Sequence, residues 1–216
     1  MYEFVRGPLL WISFIVFIGG SLFRLLYMAM LAKKKDHTVY TYMSLKYGLR
    51  SILHWIIPFG SINMRQRPAF TIFSFAFHIC LLFTPIFLLA HNVLWYESWG
   101  ISWWTIPDWL ADIMTVVVII AGVFFFLRRR LRPEVRYVTS ASDYALLIIA
   151  VAPFITGFLA YHQWLPYKAM LILHILAGEI MLMVIPFTRL DHMFFFWFTR
   201  AYMGSEFGAV RHVKDW

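Results

Sequence analysis

Five apolar runs dominate the chain, at about Pro8–Leu31, Ala69–Trp95, Trp109–Leu127, Asp143–Tyr161 and Lys168–Leu190. A helix crosses the hydrocarbon core of a bilayer in about 20 apolar residues, and each run is close to or above that length. In lipid every backbone N–H and C=O must be paired within the segment or within a closed barrel. Barrel strands are about half as long and alternate apolar with polar residues, so unbroken runs of this length select helices. The expected fold is therefore all-α, an integral membrane bundle of five transmembrane helices forming one domain over residues 1–216. Composition agrees: 62% of residues are hydrophobic and only 14% charged, a balance found in membrane proteins.

The loops between the runs set an expected orientation. The first holds Lys33, Lys34, Lys35, Lys46, Arg50, Arg65 and Arg67, and the third reads RRRLRPEVR over Arg128–Arg136. The second, Tyr96–Asp108, and the fourth, His162–Tyr167, hold no Lys or Arg. Arg200, Arg211 and Lys214 follow the last run. Cytoplasmic loops carry the excess of basic residues, which puts the N-terminus outside and the C-terminus in the cytoplasm of a cell whose inner membrane holds the protein. The same distribution argues that the net charge of +8 orients spans and does not bind nucleic acid. Trp and Tyr cluster in WYESWGISWWTIPDW, as an aromatic belt at the outer boundary should. The N-terminus lacks the pattern of a cleaved signal peptide, so the first run is expected to be retained. The first loop also holds an amphipathic pattern over about 40–57, with Tyr42, Leu45, Leu49, Ile52, Leu53 and Ile56 at helical spacing and Lys46, Arg50 and His54 on a polar stripe. It is expected to lie on the membrane surface, as a lipid anchor or a docking platform, with His54 solvated.

The second run, FTIFSFAFHICLLFTPIFLLAHNVLW, carries His78 and His91 and no formal charge. A histidine in the membrane needs a partner and is a functional hypothesis by default. The fifth run carries His174, and His192 follows eighteen residues later. On one continuous helix that spacing is five turns, about 27 Å, with both rings on one face. His78 and His91 are thirteen apart, about 20 Å, and do not share a face on an ideal helix; Pro85 lies between them and can bend it. The second and fifth runs are antiparallel, so His78 is expected to pair with His192 and His91 with His174. Two imidazoles on one iron leave no open position, so each pair would hold a b-type haem that carries electrons. The single cysteine, Cys80, excludes covalent haem attachment through CxxCH and a cysteine-ligated cluster. His162 is the rival to His174; His37 and His212 sit in basic polar segments and are expected to be solvated.

Other residues admit two readings each. Arg189 can bind a haem propionate or close an interfacial salt bridge, with Asp191 beside it. Arg24 can snorkel to the headgroups or meet a propionate. Lys168 can hydrogen-bond a quinone carbonyl or snorkel. Glu179, in the fifth run, needs a partner or a proton, and fits either a hydrogen-bonded acid or a proton path.

Five spans, N-terminus out, with two histidines in the second and two in the fifth, which is expected to run on past Leu190, resemble the respiratory nitrate reductase gamma subunit family of di-haem cytochromes b. The spacing of His174 and His192 matches that family. The segment FHICLLFTPIFLLAHNVLW has wider spacing and a proline, and is more similar to the cytochrome b subunits of the Dsr, Tmc and Hmc redox complexes of sulfate reducers and to the membrane subunit of heterodisulfide reductase. The resemblance covers most of the chain. It implies two haem b groups, an electron-transfer subunit of a respiratory oxidoreductase complex, and a cytoplasmic iron–sulfur partner similar to heterodisulfide reductase. It also implies either a menaquinone site beside the outer haem, near His91, His174 and Lys168, or a multihaem cytochrome c and other membrane subunits as partners.

Overall fold

A computed structural model describes residues 1–216 and is all-α, with 81% of residues in helices and no strand. Eight helices carry the architecture: α1 (Leu10–Lys35), α2 (Leu45–Ile56), α3 (Pro68–Phe87), α4 (Leu89–Trp99), α5 (Asp108–Leu131), α6 (Ala141–Tyr161), α7 (Tyr167–Val184) and α8 (His192–Gly204). Five stretches are long and apolar enough to cross a membrane: Tyr2–Lys35, Pro68–Phe87, Asp108–Leu131, Ala141–Tyr161 and Tyr167–Phe187. The chain is a multi-pass membrane protein. Its exposed Ile, Leu, Phe and Val side chains along these helices are the lipid-facing surface such a protein needs.

Two of the expected spans are not single helices. The second run breaks at Leu88, which is extended (φ −69°, ψ 130°). Pro85 three residues earlier has no N–H to give and crowds the preceding turn, and α4 then starts afresh and ends on Gly100 in the left-handed region (φ +67°). The fifth run breaks too. Pro186 ends α7 in a 3₁₀ turn over Ile185–Phe187, Thr188 is extended, a second turn covers Arg189–Asp191, and α8 begins at His192. His174 and His192 therefore do not share a continuous helix, and the five-turn argument for a common face does not hold. The missing N–H of Pro186 is the physical reason.

Contacts divide the chain into two compact units, Glu3–Thr71 with Glu179–Trp216, and Ile72–Gly178. In the first, α1 meets the turn after α7: a Cβ on Gly20 would lie 2.9 Å from the Pro186 ring, so only glycine permits that approach. Arg24 Nη2 donates to Asp191 Oδ2 at 2.9 Å, so Arg24 is an ion-pair partner within the protein, and Asp191 is occupied by Arg24. The amphipathic helix α2 packs its small side on α8. A Cβ on Gly48 would come 3.3 Å from Ala201, and the Ser44 amide donates to Ser205 Oγ at 2.9 Å. Leu45, Leu49 and Leu53 are left exposed on α2, the apolar stripe of a surface helix.

The C-terminal residues fold back over α2. Asp215 is enclosed, accepts a hydrogen bond from Ser51 and lies 4.0 Å from Arg200. Arg200 stacks on Trp55 at 4.5 Å; burial draws its guanidinium below its ordinary range while Asp215 pulls it back. His54 is not solvated as its polar stripe suggests: it is half-buried, with its ring 3.9 Å from that of Trp216. Replacing Asp215 by alanine removes the acceptor of Ser51 and leaves Arg200 without its carboxylate. Loss of hydrogen bonds to a charged group costs about 1.5–3 kcal/mol. The expected result is faster proteolytic cleavage after Val210, read by mass; an unchanged cleavage rate would show that Asp215 does not hold the tail.

In the second unit, α5 and α6 form the close pair, with Val151 Cγ2 2.8 Å from where a Cβ on Gly122 would stand. Around them Phe77, Cys80, Ile106, Met114, Val118 and Phe154 form the core. Asp143 starts α6 by accepting from the Ser140 amide at 2.8 Å. α3 reaches α5 through long side chains, Phe73 on Phe124 at 4.1 Å and Phe77 on Phe125 at 5.4 Å.

Candidate functional site

His91 and His174 meet. Their ring centroids are 5.9 Å apart and their planes differ by 20°. Face-to-face contact would bring rings to roughly 3.5–4.0 Å, so these imidazoles are not simply stacked on each other. Two metal–imidazole bonds of about 2.0–2.1 Å plus the two ring half-widths come to roughly 6 Å. The centroid spacing of the pair is of that order.

The break at Leu88 builds half of this site. In an unbroken helix the carbonyls of Pro85, Ile86 and Phe87 would accept from residues 89, 90 and 91. Each instead finds a donor elsewhere. His91 Nδ1 donates to Pro85 O at 2.8 Å, Trp103 Nε1 to Ile86 O at 2.8 Å, and the Ile106 amide to Phe87 O at 3.0 Å. Buried Asn92 ties the same loop down, its Nδ2 donating to Trp103 O at 2.6 Å. Because a carbonyl can only accept, Nδ1 of His91 carries the proton and Nε2 keeps its lone pair.

The other half comes from α6. His174 Nδ1 donates to Pro153 O at 2.8 Å, which again leaves Nε2 uncommitted. Gly157, one turn on from Pro153, makes the room: a Cβ there would stand 2.9 Å from both Cε1 and Nδ1 of His174. Metal-bound histidines commonly give their second ring N–H to a backbone carbonyl, which fixes tautomer and ring direction. His78 does so to Ser74 O and His192 to Arg189 O, both at 2.7 Å. His54 does the same to Arg50 O at 2.8 Å, so this bond alone does not mark a ligand; what sets His91 and His174 apart is that their rings are neighbours.

The remaining residues fall as follows. His78 and His192 are exposed on the surface of the chain and belong to different units. His78 stands edge-on to Phe77 at 5.5 Å. His162 does not join His91; its Nε2 lies 3.3 Å from Asp112 Oδ2, and its ring packs on Phe158 at 4.3 Å. His37 and His212 are exposed. Lys168, in the first turn of α7, and Arg189, in the turn before α8, are exposed. Glu179 is buried. No cluster of three or more His, Cys, Asp or Glu residues could hold a bare ion; a porphyrin brings four nitrogens of its own and asks the protein for only two. Sequence spacing missed Gly157, Pro153 and Trp103 as supports of the pair. Only Pro85, inside the second apolar run, signalled that the helix could break near His91.

The chain is a multi-pass helical membrane protein in which His91 on α4 and His174 on α7 bring their ring centroids within 5.9 Å. No model of a known protein family matches the chain. A protein of Nitratidesulfovibrio vulgaris strain Hildenborough, described simply as a protein, is 40% identical over 215 residues, which cover 98% of this chain and 95% of the relative. The chain belongs to the family of that Nitratidesulfovibrio protein.

Proposed function

We propose that the chain is a di-haem cytochrome b that moves electrons across the inner membrane, with its N-terminus outside and its C-terminus in the cytoplasm. The observation that carries this reading is the His91–His174 pair, 5.9 Å apart with both Nδ1 atoms committed to proline carbonyls. The relative comes from a sulfate reducer, which suits the branch of cytochromes that the sequence resembles. The donors are a menaquinone pool or a periplasmic multihaem cytochrome c; the acceptor, or the donor in reverse, is a cytoplasmic iron–sulfur subunit similar to heterodisulfide reductase.

The groups bound here would supply one-electron redox chemistry. The chain's own residues supply the rest. His91 and His174 hold the outer group by two neutral imidazoles, which exclude a substrate from the metal. The hydrogen bonds to Pro85 and Pro153 keep the rings aligned and their Nε2 atoms basic. His78 and His192 are the ligands of the inner group. Arg189, two residues before Asp191 and exposed beside His192, is placed to meet a propionate. Lys168 lies six residues before His174, about 9 Å along the helix, at the edge where a quinone carbonyl would sit.

The purified protein is expected to show a reduced-minus-oxidised band of b type and about two haems per chain; colourless protein would sink this reading. His78→Ala and His192→Ala should each remove the same haem and spare the other. If these two variants lose different haems, the inner pairing is wrong.

A further inference from the structure

Glu179 heads the fully enclosed side chains of the protein, at 1% exposure. Neither of its carboxylate oxygens has a hydrogen-bond partner, and no ion pair reaches it. It sits on α7 five residues after His174, about 7.5 Å further along the axis and about 140° round it. The charged and titratable groups around it are few. On its own helix the nearest are His174 before it and, past the break, Arg189, Asp191 and His192. Helix α1, packed on the turn that follows, carries none between Arg6 and Arg24, and Arg24 is committed to Asp191. An ionised carboxylate in such a place is an uncompensated buried charge, which proteins avoid by protonation or by a nearby positive charge. A ferric porphyrin with two neutral imidazoles carries one net positive charge at its iron, and a ferrous one carries none.

We propose that Glu179 is a redox-linked proton carrier, ionised while the haem on His91 and His174 is ferric and protonated when it is ferrous. This inference rests on the haem reading above. One electron, delivered by a quinol or a reduced cytochrome, takes the iron from ferric to ferrous. One proton from the aqueous phase forms an O–H bond on a Glu179 oxygen. Charge inside the membrane is unchanged, and reoxidation returns both particles. A carboxylate that only fills space would stay in one protonation state throughout.

The test is redox-difference infrared spectroscopy and potentiometry on the haem-loaded protein. Reduction should produce the C=O absorption of a protonated carboxylic acid, shifted in D₂O, and Glu179→Gln should abolish it. Should the glutamine variant fail to accumulate, Glu179→Asp should move the band. In the native protein the potential of one haem should fall with rising pH, by up to about 59 mV for each tenfold loss of protons at one proton per electron. Glu179→Gln should flatten that slope. Haem-free protein would sink the electron-transfer reading itself. Haem-loaded protein with no carboxyl band, or with a slope that survives Glu179→Gln, would overturn the role of Glu179 alone.

Discussion

Replacing His174 by alanine should strip one haem from the protein and leave the other, taking the content from about two per chain to about one. His91→Ala should remove the same haem, identified by the same missing step in a redox titration. The double variant should lose nothing more, because two ligands of one metal act as a unit and their effects do not add. His162→Ala should keep both haems, since that ring is placed against Asp112 at 3.3 Å and not against His91. Retention of both haems in His174→Ala, with loss in His162→Ala, would reverse the assignment. These variants remove half-buried imidazoles on lipid-facing helices, so the fold should persist and the change should appear in the spectrum.

Gly157→Val is the second large effect, and it touches no ligand. The added Cβ would stand 2.9 Å from two atoms of the His174 ring, closer than carbon atoms pack, and a ring cannot yield as the tip of a flexible chain would. The imidazole must swing away from Pro153 O and off the axis it shares with His91. Overpacking of this kind costs about 1–3 kcal/mol. The expected readout is loss of the haem that His174→Ala loses, or a large shift in its potential, with the second haem intact. Gly157→Ala should give a milder form of the same change. Normal spectra for both variants would mean that the ring is free to move and that Gly157 does not shape the site.

The sequence makes the spans legible because burial in lipid acts on length and composition: five apolar runs yield five spanning helices, although the second ends at Phe87, eight residues before its run does, and the fifth breaks at Pro186. It also brings out the pairing of His91 with His174, since antiparallel order puts the second histidine of one run beside the first of the other. What it hides is where a helix stops inside a run. Pro85 and Pro186 announce that an N–H is missing; whether the backbone bends, rewinds or breaks depends on which donors the neighbouring carbonyls find. At Leu88 the takers are His91 itself, Trp103 and Ile106, two of them in a loop whose sequence gives no sign of reaching back. Thirteen residues fail to return to one face of an ideal helix, and the break dissolves that difficulty, because His78 and His91 are not on one helix. The stacking of His54 on Trp216 was equally hidden: it joins residues 162 positions apart, and a polar stripe on α2 reads as wet unless the tail that covers it is known.

The loop from Gly100 to Pro107 and the imidazole of His91 hang from three consecutive peptide oxygens. Neither can be reset without disturbing the hook that the other uses. Grafting, trimming or cross-linking that loop should therefore re-aim the His91 ring, a lever that lies beyond the spanning stretch Pro68–Phe87.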